Sequence, residues 1–162
     1  MENQKKRKVL FVCTQNVFRS MSAHYLAVKF LKENNIENFE IDSCGTVAYT
    51  WESPYQHTIS LLKNKGIDVR SHKNKQIDKK LADQSRFIIC MTNEHKQHIN
   101  NKFNVEPYLF NELALGVSSD LEDDNEADFN CSLNQFIEKT VGHIEKHIPT
   151  VFTELSKIIK NE

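Results

Sequence analysis

A cysteine and an arginine with five residues between them, Cys13 and Arg19, are the side chains whose types and spacing could do chemistry in this sequence. A thiolate is a strong nucleophile, and a guanidinium offers a planar fork that matches two oxygens of a phosphoryl group. Asn16 and Ser20 add polar donors within the same stretch, Cys13-Thr-Gln-Asn-Val-Phe-Arg-Ser20. Such a set could hold a phosphate ester and attack it. The competing reading of the bare spacing is a core cysteine at a strand end beside a surface arginine.

To position that set, the chain needs a strand, a turn and a helix. Val9 to Val12 are bulky apolar residues suited to a buried parallel strand. Ala23, Leu26, Ala27, Phe30 and Leu31 then recur at helical spacing. The turn between them enters a helix N-terminus, where unpaired backbone N–H groups and the positive end of the helix dipole gather an anion and favour the thiolate of Cys13.

Further along, Phe39 to Cys44 reads as a second strand running into Gly45, joined to the first by a right-handed crossover. Residues 45–56 hold Tyr49, Trp51, Pro54 and Tyr55 without periodicity and read as a loop near the same sheet edge. Its aromatics could wall a flat phosphorylated ring, or Trp51 and Tyr55 could cap the core. A helix with Ile59, Leu61 and Leu62 closes at Gly66, and Ser85 to Met91 reads as a central strand with Cys90 facing the core. Thr92 opens a helix through Ile99, and Val105 to Phe110 is a last strand that Pro107 moves toward an edge. Ser132 to Ile159 carries the stripe of a long closing helix, capped by Ser132. Pro149 predicts a kink or break in it, because an interior proline costs ~3 kcal/mol or more. The expected architecture is a single domain, 1–162, of the α/β class. It has three layers, a central four-stranded parallel sheet with helices on both faces, and the phosphate loop after the first strand.

A net charge of −1 gives no reason to expect nucleic acid as the main partner. The apolar run after the basic N-terminus suits a strand rather than a signal peptide or membrane span, so no membrane partner is expected. Cys13, Cys44, Cys90 and Cys131 are scattered without metal-type pairing, which fits a reduced, cytoplasmic protein with neither disulfide framework nor zinc. His143 and His147 lie four apart, but Ile144 stands where a zinc-protease glutamate would be, so both read as solvated helix residues. No metal or other cofactor is expected, and a monomer is.

The run Val9-Leu-Phe-Val-Cys13-x-x-Asn16-Val17-x-Arg19-Ser20 resembles the phosphate loop of the low-molecular-weight protein tyrosine phosphatases, whose fold also carries thioredoxin-coupled arsenate reductases. The resemblance covers nearly the whole chain and is weakest between residues 116 and 131. It implies Cys13 as nucleophile and Arg19 as charge clamp, with Thr14, Gln15, Asn16, Val17, Phe18 and Ser20 forming the phosphate-binding loop. Tyr49 matches the aromatic that lines the family's substrate cleft, and Trp51 is additional. Asn16, Ser20, Ser43 and His72 match a polar network behind the loop. Gln15, Phe18 and Met21 replace the usual Gly, Cys and Pro, and Gln56 and Thr58 stand where Asp and Arg are frequent. With Phe18 in place of the second cysteine, Cys13 lacks the protective loop disulfide of many relatives.

The general acid is where the resemblance fails. Family members place it in an Asp-Pro-aromatic motif before the last helix, and no Asp-Pro occurs here. Aligned without a gap from Ser132, the acid position is Ala127; a slip of one residue makes Asp128 the acid, directly before Phe129. Asp128 is the expected acid, with Asp124 and Asp123 behind it, against a merely solvated acidic loop. Val17 is aliphatic where phosphoarginine-selective relatives have Thr, which favours an aromatic substrate. The expected function is a protein tyrosine phosphatase acting on a phosphotyrosine-containing protein or small aryl phosphate through a cysteinyl-phosphate. Its rivals are an arsenate reductase, which needs further redox cysteines where only Cys90 lies in the region, and a phosphotyrosine-binding protein lacking the acid.

Overall fold

The computed structural model describes residues 5–122 and 131–162. Its elements are β1 (Arg7–Cys13), α1 (Arg19–Glu33), β2 (Phe39–Gly45), α2 (Gln56–Asn64), α3 (Lys79–Gln84) and β3 (Phe87–Cys90), followed by α4 (Asn93–Phe103), β4 (Tyr108–Leu109), α5 (Phe110–Leu115) and α6 (Leu133–Lys160). The four strands form one sheet in the order β2-β1-β3-β4, with every pairing parallel. Cys13 therefore ends a strand with neighbours on both sides. Its register partner on β2 is Gly45, while Val12 stands between Cys44 and Cys90. That carboxyl edge, where the chain leaves β1 toward β2 and later returns to β3, is where open α/β sheets place their ligands.

Alternation along β1 explains the layers. Val9, Phe11 and Cys13 point into a core shared with α1, α2, α5 and α6, and Leu10 and Val12 into a second core closed by α3 and α4. Burial on both faces is why the two central strands, β1 and β3, read as continuous apolar runs. On α6, Ile137, Val141, Ile144, Ile148, Val151, Phe152 and Leu155 are buried, and Phe152 meets the Phe39 ring edge-on at 5.1 Å.

Three details depart from the sequence expectation. The last strand is only two residues long, at the sheet edge, since Pro107 has no N–H to extend the ladder. The six-residue helices α3 and α5 are too short for a periodicity to be read, although Asp78 caps α3 through the Leu81 N–H at 2.7 Å. Finally, of the kink or break expected at Pro149, the break does not occur: α6 continues through it. Pro149 is exposed, so water can reach the backbone carbonyl that the missing N–H leaves behind, and the apolar stripe on the opposite face holds the helix together.

The proline should still cost stability. Pro149→Ala, which restores the N–H without touching the core, is expected to raise the unfolding free energy by about 2 kcal/mol in urea titrations; a lower value would show that the chain's local path requires proline there.

Candidate active site

Cys13 closes β1 with its sulfur buried, and α1 begins six residues later at Arg19. Two donors approach the sulfur, the Ser20 hydroxyl at 2.9 Å and the Asn16 N–H at 3.3 Å. These are the partners a thiolate would use. Ser20 also accepts from Asn16 Nδ2 at 2.9 Å and has the Cys44 carbonyl at 3.2 Å as an alternative acceptor for its single proton. The first-turn N–H groups of α1 have no partner within the helix and supply the remaining donors of an anion cradle.

Asn16 sets the loop's shape. It is fully buried with φ 62°, a left-handed conformation that asparagine tolerates better than most residues. Three contacts hold it there: its amide donates to Ser20, its Oδ1 accepts the Lys75 N–H at 3.1 Å, and its carbonyl accepts from His72 Nε2 at 2.7 Å. The chain after β2 presses on the loop from the other side. Thr46 N donates to the Cys13 carbonyl at 2.9 Å and Val47 N to the Thr14 carbonyl at 2.8 Å. A Cβ at Gly45 would lie 2.3 Å from the Thr14 oxygen, so only glycine fits. Gly45 in turn pairs with the 75–77 segment, donating to the Lys75 carbonyl at 2.8 Å and accepting from Ile77 at 2.9 Å.

Arg19 is buried and aimed along the same cradle. Its Nη1 donates to the Leu121 carbonyl at 2.9 Å, and Nη2 lies 3.5 Å from Thr14 Oγ1. Leu121 is itself fixed by donating to the Met91 carbonyl at 2.7 Å, so the segment leading toward the acidic loop is tied to both Arg19 and the residue that follows β3. Asp128, Asp124 and Asp123 lie outside the described residues. Among the other loop positions, Val17 and Phe18 are buried, and Thr14 and Gln15 half-buried. Phe18 packs against Tyr55 and Phe136 at ring separations of 6.2 and 6.1 Å, anchoring the loop to the start of α2 and to α6. Met21 is fully buried in the main core.

At the rim, Tyr49 stacks on Trp51 at 4.6 Å, and Trp51 is 72% exposed. Their loop is held by Asn74, which donates to the carbonyls of Tyr49 and Glu52, and by Gln76, which bonds Thr46 and Ala48.

The expected polar network is altered at one member. Asn16, Ser20 and His72 are joined as anticipated, but the Ser43 hydroxyl meets His24 Nδ1 at 3.0 Å. His24 competes successfully because it sits one helical turn after Ser20 on α1, beside β2; that i, i+4 spacing was the available signal. Burial lowers the His24 pKa to about 4, against the attraction of Asp42. Burial also lowers that of His72, against its bond to the Asn16 carbonyl. A cavity of about 680 Å³ lined by His24, Tyr25, Ser43, His72 and Lys75 belongs to this network; neither Cys13 nor Arg19 lines it. The second residue missed in the sequence is His95, whose Nε2 lies 2.9 Å from Thr14 Oγ1. Among the described residues, no group of three or more His, Cys, Asp or Glu side chains is arranged to hold a metal ion. The arrangement can bind a tetrahedral oxyanion and set a sulfur nucleophile beneath it.

The family model for low molecular weight phosphotyrosine protein phosphatase matches residues 8–161. The chain is 28% identical over 119 residues to a protein-arginine-phosphatase of Geobacillus stearothermophilus, covering 72% of this chain and 77% of that one. It is 36% identical over 105 residues to the low molecular weight phosphotyrosine protein phosphatase of Saccharomyces cerevisiae, covering 63% of each chain. It is 34% identical over 106 residues to that of Homo sapiens, covering 64% of this chain and 66% of that one. The matched stretch is thus under two thirds of the length of the yeast and human proteins. In fold, the arginine phosphatase from Geobacillus stearothermophilus superposes with a TM-score of 0.79 at 23% identity, covering 96% of this chain and 97% of that one. A low molecular weight protein tyrosine phosphatase from T. tengcongensis superposes with a TM-score of 0.80 at 22% identity, covering 92% and 99%.

Gly45→Ala should push the Thr14 carbonyl out of place and weaken inorganic phosphate binding at least about tenfold by calorimetry, with the helical content unchanged. Wild-type affinity in that variant would show that the close approach is dispensable. The buried histidines predict a pH effect on stability. His24 titrates near 6.5 when unfolded and about 4 when folded, so its contribution is intact above 6.5 and is lost as pH falls through 4. Unfolding free energy measured in urea should fall between pH 6.5 and 4, and His24→Asn should flatten the slope by up to ~1.4 kcal/mol per pH unit. An unchanged slope would mean that His24 is not held neutral.

Proposed function

The chain belongs to the low molecular weight phosphotyrosine protein phosphatase family, and on that premise we propose that it hydrolyses phosphotyrosine through a cysteinyl-phosphate at Cys13. The observation that carries the reading is the position of the Cys13 sulfur, at the end of β1 with Ser20 Oγ and Asn16 N on it and the buried Arg19 guanidinium alongside. A phosphate seated among the first-turn amides of α1 presents its phosphorus to that sulfur. Cys13 attacks in line, the S–P bond forms, and the phosphorus–oxygen bond to the ring breaks. Arg19 and the loop amides take up the charge on the three equatorial oxygens. The Leu121 carbonyl accepts from one edge of the guanidinium, at Nη1, which fixes its fork relative to the loop.

The departing phenolate needs a proton, and Asp128 is the group we assign to supply it. The same carboxylate then draws a proton from the water that cleaves the S–P bond and returns Cys13. Leu121, bonded to Arg19 at 2.9 Å, brings the chain that leads into the acidic loop up to the site, which supports an acid drawn from that loop; the choice of Asp128 within it rests on the alignment. The stacked Tyr49 and Trp51 offer flat apolar surface at the rim, and Val17 is aliphatic; both suit an aromatic phosphoester on a protein or a small aryl phosphate. The site residues stand in these roles: Thr14 to Phe18 and Ser20 as the cradle, and His72 as its support.

Arsenate reduction is disfavoured by the surroundings of Cys13. Cys44 and Cys90 are buried on the other face of the sheet, and burial pushes both thiols up, which makes them poor at resolving an adduct on Cys13. All four cysteines are free of disulfides, which fits a reducing cytoplasm. Among the described residues, no helix is long and apolar enough to cross a membrane. We take the working form to be a monomer.

Steady-state hydrolysis of a phosphotyrosine peptide, p-nitrophenyl phosphate and a phosphoarginine peptide tests the reading. Cys13→Ser should abolish turnover of all three. Asp128→Ala should lose ~10²–10⁴-fold on the phosphotyrosine peptide and far less on p-nitrophenyl phosphate, whose leaving group needs no proton. Faster wild-type turnover of phosphoarginine than of phosphotyrosine would transfer the substrate assignment. Residual activity in Cys13→Ser would sink the covalent mechanism.

A further inference from the structure

His95 lies outside the motif that identifies the site, yet it touches the loop. It is the third residue of α4 and is buried. On one side, its Nδ1 lies 3.2 Å from the Thr92 backbone nitrogen and 3.0 Å from the Thr92 hydroxyl. A backbone N–H can only donate, so Nδ1 is the unprotonated nitrogen and the ring hydrogen sits on Nε2. On the other side, Nε2 is 2.9 Å from Thr14 Oγ1, so the ring donates and Thr14 accepts. The helix cap thus fixes the tautomer that the loop threonine receives.

The consequence falls on Thr14. Its oxygen takes a hydrogen from His95 and lies 3.5 Å from Arg19 Nη2, a second and weaker donor. With donors on its oxygen from both neighbours, the hydroxyl must direct its own hydrogen elsewhere, and its place at the end of the guanidinium is where Arg19 would hold an oxyanion. Burial, reinforced by the Arg19 cation and by His98, keeps the His95 pKa at about 3, so the ring stays neutral and the pattern of donors does not reverse at working pH.

We propose that His95 is a positioning residue that aims the Thr14 hydroxyl as an additional hydrogen-bond donor to the phosphoryl group held in the loop. The role rests on the anion-binding reading of the site.

The test uses four variants of the full chain: Thr14→Val, His95→Asn, His95→Gln and the double variant Thr14→Val/His95→Asn. Asparagine keeps an acceptor near the place of Nδ1, so α4 stays capped while the contact to Thr14 is cut. Glutamine returns an N–H near the place of Nε2. Affinity for inorganic phosphate is read by calorimetry, with kcat and KM for p-nitrophenyl phosphate and Tm alongside. Thr14→Val and His95→Asn are each expected to weaken phosphate about tenfold, the double variant no more than either, and His95→Gln to recover most of the loss. Wild-type phosphate affinity in Thr14→Val would overturn the proposal. So would losses that multiply to about a hundredfold in the double variant, since the two residues would then act separately. A fall in Tm with unchanged affinity would make His95 only a helix cap, and also overturns it. Turnover is not needed for the decision: wild type that binds phosphate without hydrolysing esters would refute the phosphatase function, while the pattern of affinities still decides the role of His95.

Discussion

The rest of the site depends on holding one residue, Asn16, in a conformation the chain would otherwise avoid. A loop whose amides converge on a single anion must turn more sharply than right-handed backbone allows, and Asn16 takes that turn at φ 62°. Left-handed backbone costs roughly 1–2 kcal/mol for a residue with a side chain. Asn16 offsets this with contacts to Ser20, Lys75 and His72, each of a kind that contributes about 0.5–1.5 kcal/mol. Those partners come from α1 and from the segment after α2, so the loop is shaped by tertiary structure and not by its own sequence alone. Removing any of them leaves a buried polar group unpaired, which costs more than the bond itself contributed.

The sheet makes this support rigid. β1 is flanked on both sides, so the residue that ends it cannot move without moving β2 and β3. Gly45 brings a second backbone against the loop at a distance no side chain would permit, and Phe18 pins the loop's other end between Tyr55 and Phe136. Arg19 is tied from a third direction by Leu121. A cluster of donors held from three sides is already oriented before an anion arrives, and such preorganisation is what electrostatic stabilisation of a transition state requires.

Much of this was legible in the sequence because it is local or periodic. Cys13, Asn16, Arg19 and Ser20 lie in one short stretch between a buried strand and an amphipathic helix, and both patterns survive in the structure. What the sequence could not show was pairing between distant side chains. The family resemblance makes Ser43 a member of the network behind the loop, but its hydroxyl meets His24, and nothing in a linear pattern says which of two polar neighbours a hydroxyl will choose. His95 was hidden because a histidine in the first turn of a helix carries no signature until its tautomer and its neighbour across the sheet edge are known. Pro149 signals a kink or a break, and only the absence of a break is visible: the proline stands on the exposed side, and the apolar stripe opposite carries the helix past it. Asp128 rests on alignment by one residue in a stretch of like charges, and its segment lies outside the described residues.

The bonds from Asn16 to Lys75 and His72 make anion binding a property of the assembled domain. In the unfolded chain these residues are far apart, so phosphate has a cradle only in the native state. Any ligand with that preference shifts the folding equilibrium by mass action, by ~2.7 kcal/mol when present at a hundred times its dissociation constant. On the proposed reading of the site, the ordinary phosphate of a cell or a buffer would be both a product-like inhibitor and a stabiliser of this fold. Thermal resistance would then be drawn from the same pool of anion that fills the proposed phosphate loop.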